Sequence, residues 1–447
     1  MLAVSFVEVL MMAILSGGSG STDLVAMMQP RQYFESRQIE PSIDKMVDLA
    51  NDEPKNAKTQ IVQLNALRYL ADESDSLKKS ANYAAYRQQL EAIAKGTKAQ
   101  DAQSFAKDYA NRVLQKLDGA KAEAAVKVRP IRDEALGWFP ANATIAGAID
   151  LRQASQPAAG GADPVKELLK MLPDRERTQM YDFIEKSGNV RVERLAFALV
   201  DNPEQKDQMK IFVRFTGKGN HDWLASVLRE TSGDRMQATE SKADDGTPIT
   251  LLQIPNQPPA VMMLGDTDIM MIGYMGNNGK HDELVAEVLD ARGKKTGNAA
   301  SGSLKNALTK IPDKAVGLLI GTMPEQMKRE LGQVFDLVPA KFAMFIEKAP
   351  QGLDLQIEGS MANAEDAGRL VQKIGGLRKD GIAALQQAMQ QPLPPGAPPI
   401  PFQGMINMLE NLQVQSQGDM VNVRGVAPNG LLQVLPMFFM VRSVQVK

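Results

Sequence analysis

The chain has 447 residues, no cysteine, and 51 Lys and Arg against 53 Asp and Glu, a formal charge of −2. This balance offers no basic face to displace counterions from nucleic acid, and the missing cysteines exclude disulfides, thiolate metal sites and cysteine nucleophiles. With 44% hydrophobic and 23% charged residues the composition is globular, and the length suits roughly two to four domains.

Residues 1–21 read as a signal-like or anchor segment. The apolar run Val9–Leu15 gives way to the small residues Ser16–Ser21, as in a secretory signal, although Glu8 stands where a positive residue is usual. The run is well short of the ~20 apolar residues that span a membrane. Export to the periplasm or cell envelope is expected, with membrane proximity through the N-terminus. A mis-assigned start leaves a cytoplasmic protein as the alternative.

Residues 22–125 carry helical periodicity throughout. Ser42 takes an N-cap position before Ile43, Met46, Val47 and Ala50, which form one stripe, and Asn51–Pro54 ends that helix. A second helix carries Ile61, Leu64, Leu67 and Leu70, and a third carries Tyr83, Tyr86, Leu90 and Ile93 before Gly96. A fourth carries Phe105, Tyr109, Val113 and Leu117 before Gly119. The Leu-x-x-Leu pairs at Leu67 and Leu114 lie at the upper edge of the roughly 40–47-residue period of HEAT-type repeats, so the region reads as HEAT-like or as a plain four-helix bundle.

Residues 120–135 form the expected hinge, and beyond it alternation replaces helical periodicity. Ala143–Leu151 is the first strand, Asp163-Pro164 opens a helix through Met171, and Leu195–Val200 and Ile211–Phe215 are strands joined by a polar turn at Asn202-Pro203. The helix starts Gly219-Asn220-His221-Asp222 and Gly279-Lys280-His281-Asp282 resemble each other, and each follows a strand. Met236–Lys242 and Ile249–Ile254 flank the turn Asp244-Asp245-Gly246, while Val414–Gln417 and Met420–Val426 flank Gly418-Asp419, and both read as hairpins. Leu353–Glu358 alternates cleanly and leads to a helix bearing Leu370, Val371, Ile374 and Leu377. The Pro-rich insertion 391–401 reads as a stiff spacer, and Leu431–Val441 as a buried C-terminal helix.

Phe139–Asp150 is echoed by Ile311–Ile320, an apolar residue and a proline followed by a short apolar run. The expected fold is therefore α+β: an all-helical N-terminal region, then a duplicated strand-helix-strand-strand-helix-hairpin body with largely antiparallel sheets. Its units are placed at 136–300 and 301–447.

Catalytic sets are scarce. The two histidines, His221 and His281, precede aspartates, but a metal site of His-Asp pairs needs more histidines than the chain holds, so Asp222 and Asp282 read as first-turn carboxylates facing exposed amides. No Gly-x-Ser-x-Gly elbow or phosphate loop occurs, and Ser301–Leu304 reads as the N-cap region of the helix through Leu308. Met262-Met263 and Met270-Met271 raise copper binding through thioethers, but neighbours in a strand point to opposite faces, so core packing is the reading. Asp150 is taken as a loop residue with no second group to pair with it. No catalytic residue, cofactor or metal ligand is assigned.

The Phe139-Pro140-Ala141-Asn142-Ala143 approach to the first strand, the duplicated plan and the Ala57–Leu70 segment together resemble uncharacterised exported proteins of planctomycete-type bacteria. The resemblance spans most of residues 40–440 in plan. It implies a signal-like start, a small helical region and a tandem α+β body, and carries over no catalytic residues. A non-enzymatic binding or scaffolding protein of the cell envelope is expected, with protein partners engaged through the helical region. The alternatives are a hydrolase with a carboxylate site between the two α+β units and a small-molecule or lipid carrier built on the Met-rich strands Val261–Met275.

Overall fold

The computed structural model describes residues 24–96, 103–119, 136–151, 174–201, 209–219 and, with short breaks, 221–323, 337–390 and 402–428. The signal-like segment, the hinge at 120–130, the helix expected at 163–171, the Pro-rich insertion and the apolar run 431–441 lie outside the described residues.

Four of the N-terminal helices form where the apolar spacing places them, and two short ones at Pro30–Ser36 and Ser74–Lys78 were not read from it. A 3-10 turn at Leu24–Met27 and α1 (Pro30–Ser36) precede α2 (Ile43–Asn51), α3 (Ala57–Asp72), α4 (Ser74–Lys78), α5 (Tyr83–Lys95) and α6 (Gln103–Leu117). Ser42 caps α2 by accepting the Lys45 amide, and Asn56 and Thr59 close a reciprocal capping box on α3. Gly96 ends α5 at φ +67, a left-handed backbone that costs glycine nothing.

Beyond these helices, the strands among the described residues build one antiparallel sheet. Its strands are β1 (Ile145–Asp150), β2 (Val190–Asp201), β3 (Met209–Gly219), β4 (Gln237–Lys242), β5 (Pro248–Ile254), β6 (Gln257–Leu264), β7 (Asp268–Met275), β8 (Ala315–Thr322), β9 (Lys341–Ala349), β10 (Gly352–Ser360), β11 (Gln413–Gln417) and β12 (Met420–Pro428). The order across the sheet is β11-β12-β10-β9-β8-β1-β2-β3-β7-β6-β5-β4. Helices α7 (Asp174–Ser187), α8 (His221–Ser232), α9 (His281–Ala291), α10 (Lys305–Leu308), α11 (Ala364–Met389) and α12 (Phe402–Glu410) connect them. The protein is thus α+β with a helical N-terminal region.

The two segments with echoing sequence meet in the middle. β8 pairs antiparallel with β1, Ala146 opposite Ile320 and Ala148 opposite Leu318. A strand flanked on both sides and covered on both faces is expected to be largely apolar, and β1 is apolar up to its final residue, Asp150, with five of its six positions buried. The expected first hairpin is larger than its turn signal suggested: β4 and β5 continue into β6 and β7, and β7 returns to pair with β3. Strand β9 was not legible as alternation, because Phe342, Met344 and Ile346 alternate with Ala343 and Phe345, leaving both faces apolar.

The helical region does not stand apart from the sheet. One continuous core joins Leu64, Leu67 and Val113 of the helices to Tyr181 and Ile184 of α7, Leu224 and Leu228 of α8, and Val192, Phe215 and Ile269 on one sheet face. Polar contacts seal this junction. The Tyr33 hydroxyl donates to Glu185 at 2.6 Å, Arg37 reaches Glu185 and Asp182, and Arg191 of β2 reaches Asp108 of α6 at 2.6 Å. The opposite sheet face carries a second core of Phe139, Ala146, Phe212, Met270 and Ile320, covered by Leu284 and Val288 of α9. A small third cluster joins Ala367 of α11 to Val421 of β12.

Candidate functional site

The polar groups with most chemical potential lie in one register row of the sheet. Asp150 stands opposite Arg194, Arg194 opposite Thr216, and Thr216 opposite Asp268, so a single row crosses β1, β2, β3 and β7. Opposed side chains on one sheet face approach within contact distance, and charges there have to be compensated. Arg194 Nε donates to Asp150 Oδ2 at 3.1 Å, and Asp150 is fully buried. Arg214, one step along β3, donates from Nε to Asp268 Oδ1 at 2.8 Å, while the Thr216 and Thr267 hydroxyls also donate to Asp268.

This row corrects the sequence reading of Asp150. Its partner is 44 residues away in the chain, and only the pairing of β1 with β2 brings the two groups together. Asp150 is the last residue of β1, not a loop residue. Trp138 extends the cluster: the Arg214 guanidinium lies 3.8 Å from its ring centroid and Arg292 lies 5.0 Å from it. Burial pushes the Arg214 guanidinium below its ordinary range, Asp268 works against that shift, and Arg194 and Arg292 add to it. The cluster has the chemistry of a strand-to-strand clamp. Each carboxylate is engaged by a cation in a low-dielectric core, where unpaired charge is strongly disfavoured.

A second polar place lies near the other edge of the sheet. Arg424 of β12 grips Asp354 of β10 with Nε at 3.1 Å and Nη2 at 2.6 Å, one nitrogen to each carboxylate oxygen. This pair borders a groove of about 470 Å³ lined by Asn407, Met408, Asn411, Gln413, Arg424 and Val426. The groove is open and amide-rich, and it contains no histidine, aspartate or glutamate among these lining residues.

The histidines do not converge. α8 follows β3 and packs into the core shared with the N-terminal helices, whereas α9 follows β7 and packs into the core on the other sheet face. Because Met275 at the end of β7 pairs with Met209 at the start of β3, the two helices also begin at opposite ends of adjacent strands. His221 and His281 therefore stand at opposite ends and on opposite faces of the sheet. Asp222 and Asp282 lie in first helical turns, as the capping reading expects.

The methionine pairs split between the faces as alternation requires: Met262 and Met270 are buried in one core, and Met263 is buried in the other with Met271 packed against it. Met262 and Met270 stand directly opposite each other, which adjacency in sequence did not reveal. Ser301–Leu304 leads into α10 with Leu304 at its N-cap, and Ser303 has a further role. Its hydroxyl donates to the Ala143 carbonyl at 2.5 Å, tying this loop to the approach of β1, while α10 has no side-chain cap. Among the described residues, no group of three or more His, Asp or Glu side chains is placed to hold a metal ion. No helix among them is long and apolar enough to cross a membrane.

The fold and these clusters define an α+β protein in which the charged side chains inside the sheet are paired. No family model matches the chain, and no curated protein matches it. Two solved structures share some similarity at 10% identity: crystal form III of TP0453, with a TM-score of 0.35 over 70% of this chain and 98% of that one, and crystal form I, with a TM-score of 0.33 over 68% and 97%.

Proposed function

We propose that the protein is a non-enzymatic binding or scaffolding protein of the cell envelope. It engages a protein partner through the outer face of its helical region, which is HEAT-like in its hairpin plan. The observation that carries this reading is the filled seam between β1 and β8. A carboxylate-based hydrolase between the two α+β units needs a cleft there, and the seam is a hydrogen-bonded ladder whose side chains Ile145, Ala146, Leu318 and Ile320 are all buried. The acidic groups nearest to it are tied up by Arg194 and Arg214. The echo between Phe139–Asp150 and Ile311–Ile320 supports reading the body as a duplication.

The outer helical face is polar and shaped by long-range contacts. Tyr86 donates to Asp44 at 2.6 Å, and Arg87 holds Asp118 at 2.7 Å, so α2, α5 and the end of α6 present one fixed charged surface. Export is tested by fractionation of native cells, and a chain found wholly in the cytoplasm removes the envelope from the reading. Partner binding is tested by pull-down with the native chain and with a Lys45→Glu, Arg87→Glu variant. A partner held by the native chain and lost from the variant supports the surface. Equal recovery, or robust turnover by the purified chain against a panel of hydrolase substrates, overturns it.

A further inference from the structure

The sheet ends in two strands of different chemistry. β4 closes one edge with Lys242 and with Glu240, which is held by Arg229 at 3.4 Å. Charges of this kind guard an edge against pairing with another chain. β11 closes the other edge with Gln413-Val414-Gln415-Ser416-Gln417, which holds neither a charge nor a proline.

The hairpin decides which backbone groups of β11 face outward. A two-residue turn, Gly418-Asp419, joins Gln417 to Met420, and Gly418 takes φ +59. Residues flanking such a turn exchange hydrogen bonds, so Gln417, Gln415 and Gln413 direct their amides and carbonyls to β12. The far side of β12 agrees. The Met361 amide donates to the Asp419 carbonyl at 2.9 Å, which turns the odd-numbered residues of β12 toward β10 and leaves the even-numbered ones for β11. Val414 and Ser416 therefore aim their amides and carbonyls away from the sheet. Among the described residues no strand pairs with that row.

Helix α11 leaves room beside this edge. It starts just after the end of β10 and runs over β12, with Ala367, Val371 and Ile374 toward Val421 and Val423. Arg378 then donates to the carbonyl of Leu412, the residue before β11, at 2.9 Å. Val421 and Val423 point to α11 and turn their backbone groups to β10. For L-residues on a strand running with the helix, this places β11 to the left, seen along the helix from its N-terminus with the sheet below. A right-handed helix turns by about 100° per residue, so one step past the sheet-facing Ala367 and Ile374 brings Gly368 and Gly375 to that left flank. Both have open space where a Cβ would stand.

We propose that two copies of this chain pair antiparallel through β11, about a twofold axis at Gln415. Val414 of each copy exchanges hydrogen bonds with Ser416 of the other, Gln415 faces Gln415 of the second copy, and Gln413 lies across from Gln417. A side-chain amide carries both donor and acceptor and can pair with its own copy, whereas a carboxylate or an ammonium at the axis would meet its like. The two α11 helices then lie side by side on one face. Gly368 and Gly375 give them the clearance needed above strands only about 4.8 Å apart. This contact lies apart from the partner face of the helical region and does not depend on it.

Sedimentation velocity of the full chain over a range of micromolar concentrations tests the pairing. The native chain is expected to form dimers. Gln415→Lys or Gln415→Glu alone should weaken association at least about tenfold, and an equimolar mixture of the two should restore it, because the axis then brings opposite charges together. Ser416→Pro removes only an outward amide and should block pairing without adding charge, and Gly368→Trp should do so by filling the clearance. Gln237→Lys, on β4, should leave the dimer intact. Gln415 is exposed, and unchanged circular dichroism confirms that each variant folds. A native chain that stays monomeric, a dimer that these β11 variants leave unweakened, or a mixture that fails to recover it overturns the proposal.

Discussion

Replacing Asp268 by asparagine keeps the shape of the side chain and removes its charge, which isolates what the buried carboxylate does. Both side chains of the Arg214–Asp268 pair are 9% exposed, so the arginine left behind has little water to turn to. It also sits near Arg194 and Arg292, whose charges already work against its own. Stripping one member from a buried pair typically costs about 3–5 kcal/mol, and Asp268→Asn is expected in that range. Urea unfolding followed by tryptophan emission is the assay, since Trp138 lies directly against the Arg214 guanidinium. Asp245→Asn, on the exposed partner of Arg292, serves as a control with little change in midpoint. The double variant Arg214→Met, Asp268→Leu separates the causes. If the loss comes from uncompensated charge, removing both charges recovers most of the stability. A single Asp268→Asn cost below about 1 kcal/mol, or a double variant as unstable as the sum of its singles, refutes the clamp.

Three further outcomes are expected. Gly217→Ala places a Cβ 1.7 Å from the Arg191 carbonyl oxygen and should destabilise by at least about 1–3 kcal/mol, whereas Gly368→Ala, with open space around it in α11, should stabilise by roughly 0.5–1 kcal/mol in thermal or urea unfolding. Partial desolvation at the exposed end of β2 raises the Asp201 carboxyl above its ordinary range, so its contribution to stability is fully present at low pH and is lost as pH rises through the folded value. Asp201→Asn should therefore stabilise the chain at pH 7 and give no gain below about pH 3, and a gain that is the same at both pH values contradicts this. Tyr33→Phe removes the 2.6 Å bond to buried Glu185 and should cost about 1–3 kcal/mol, with the helical and sheet signals in circular dichroism still unfolding together because they share a core. Separate transitions would show that the helices hold on their own.

The helices of the N-terminal region could be read along the chain because each is a local event. Ser42, the Asn56–Thr59 box and Gly96 act within four residues of themselves, and the apolar stripe of α2 states its period directly. The hairpin turns at Gly246 and Gly418 were legible for the same reason, since both residues adopt the positive φ that their turns require. Alternation failed at β9, where both faces are apolar, and it said nothing of the strand order.

The charged row shows the limit most plainly. Asp150, Arg194, Thr216 and Asp268 are scattered over more than a hundred positions, and no spacing rule links them. Shifting the pairing of any one strand by one residue would turn its member to the other face and break the row. By itself the sequence determined the α+β class, the helix caps, the turns and the shortage of catalytic histidines, because composition and local hydrogen bonding suffice for these. Only the tertiary structure decided that the helices share a core with the sheet, that the echoing strands pair in its centre, that the histidines part to opposite faces, and that Asp150 has a partner. These facts depend on contacts between distant residues, whose relative placement is set by burial of the whole sheet.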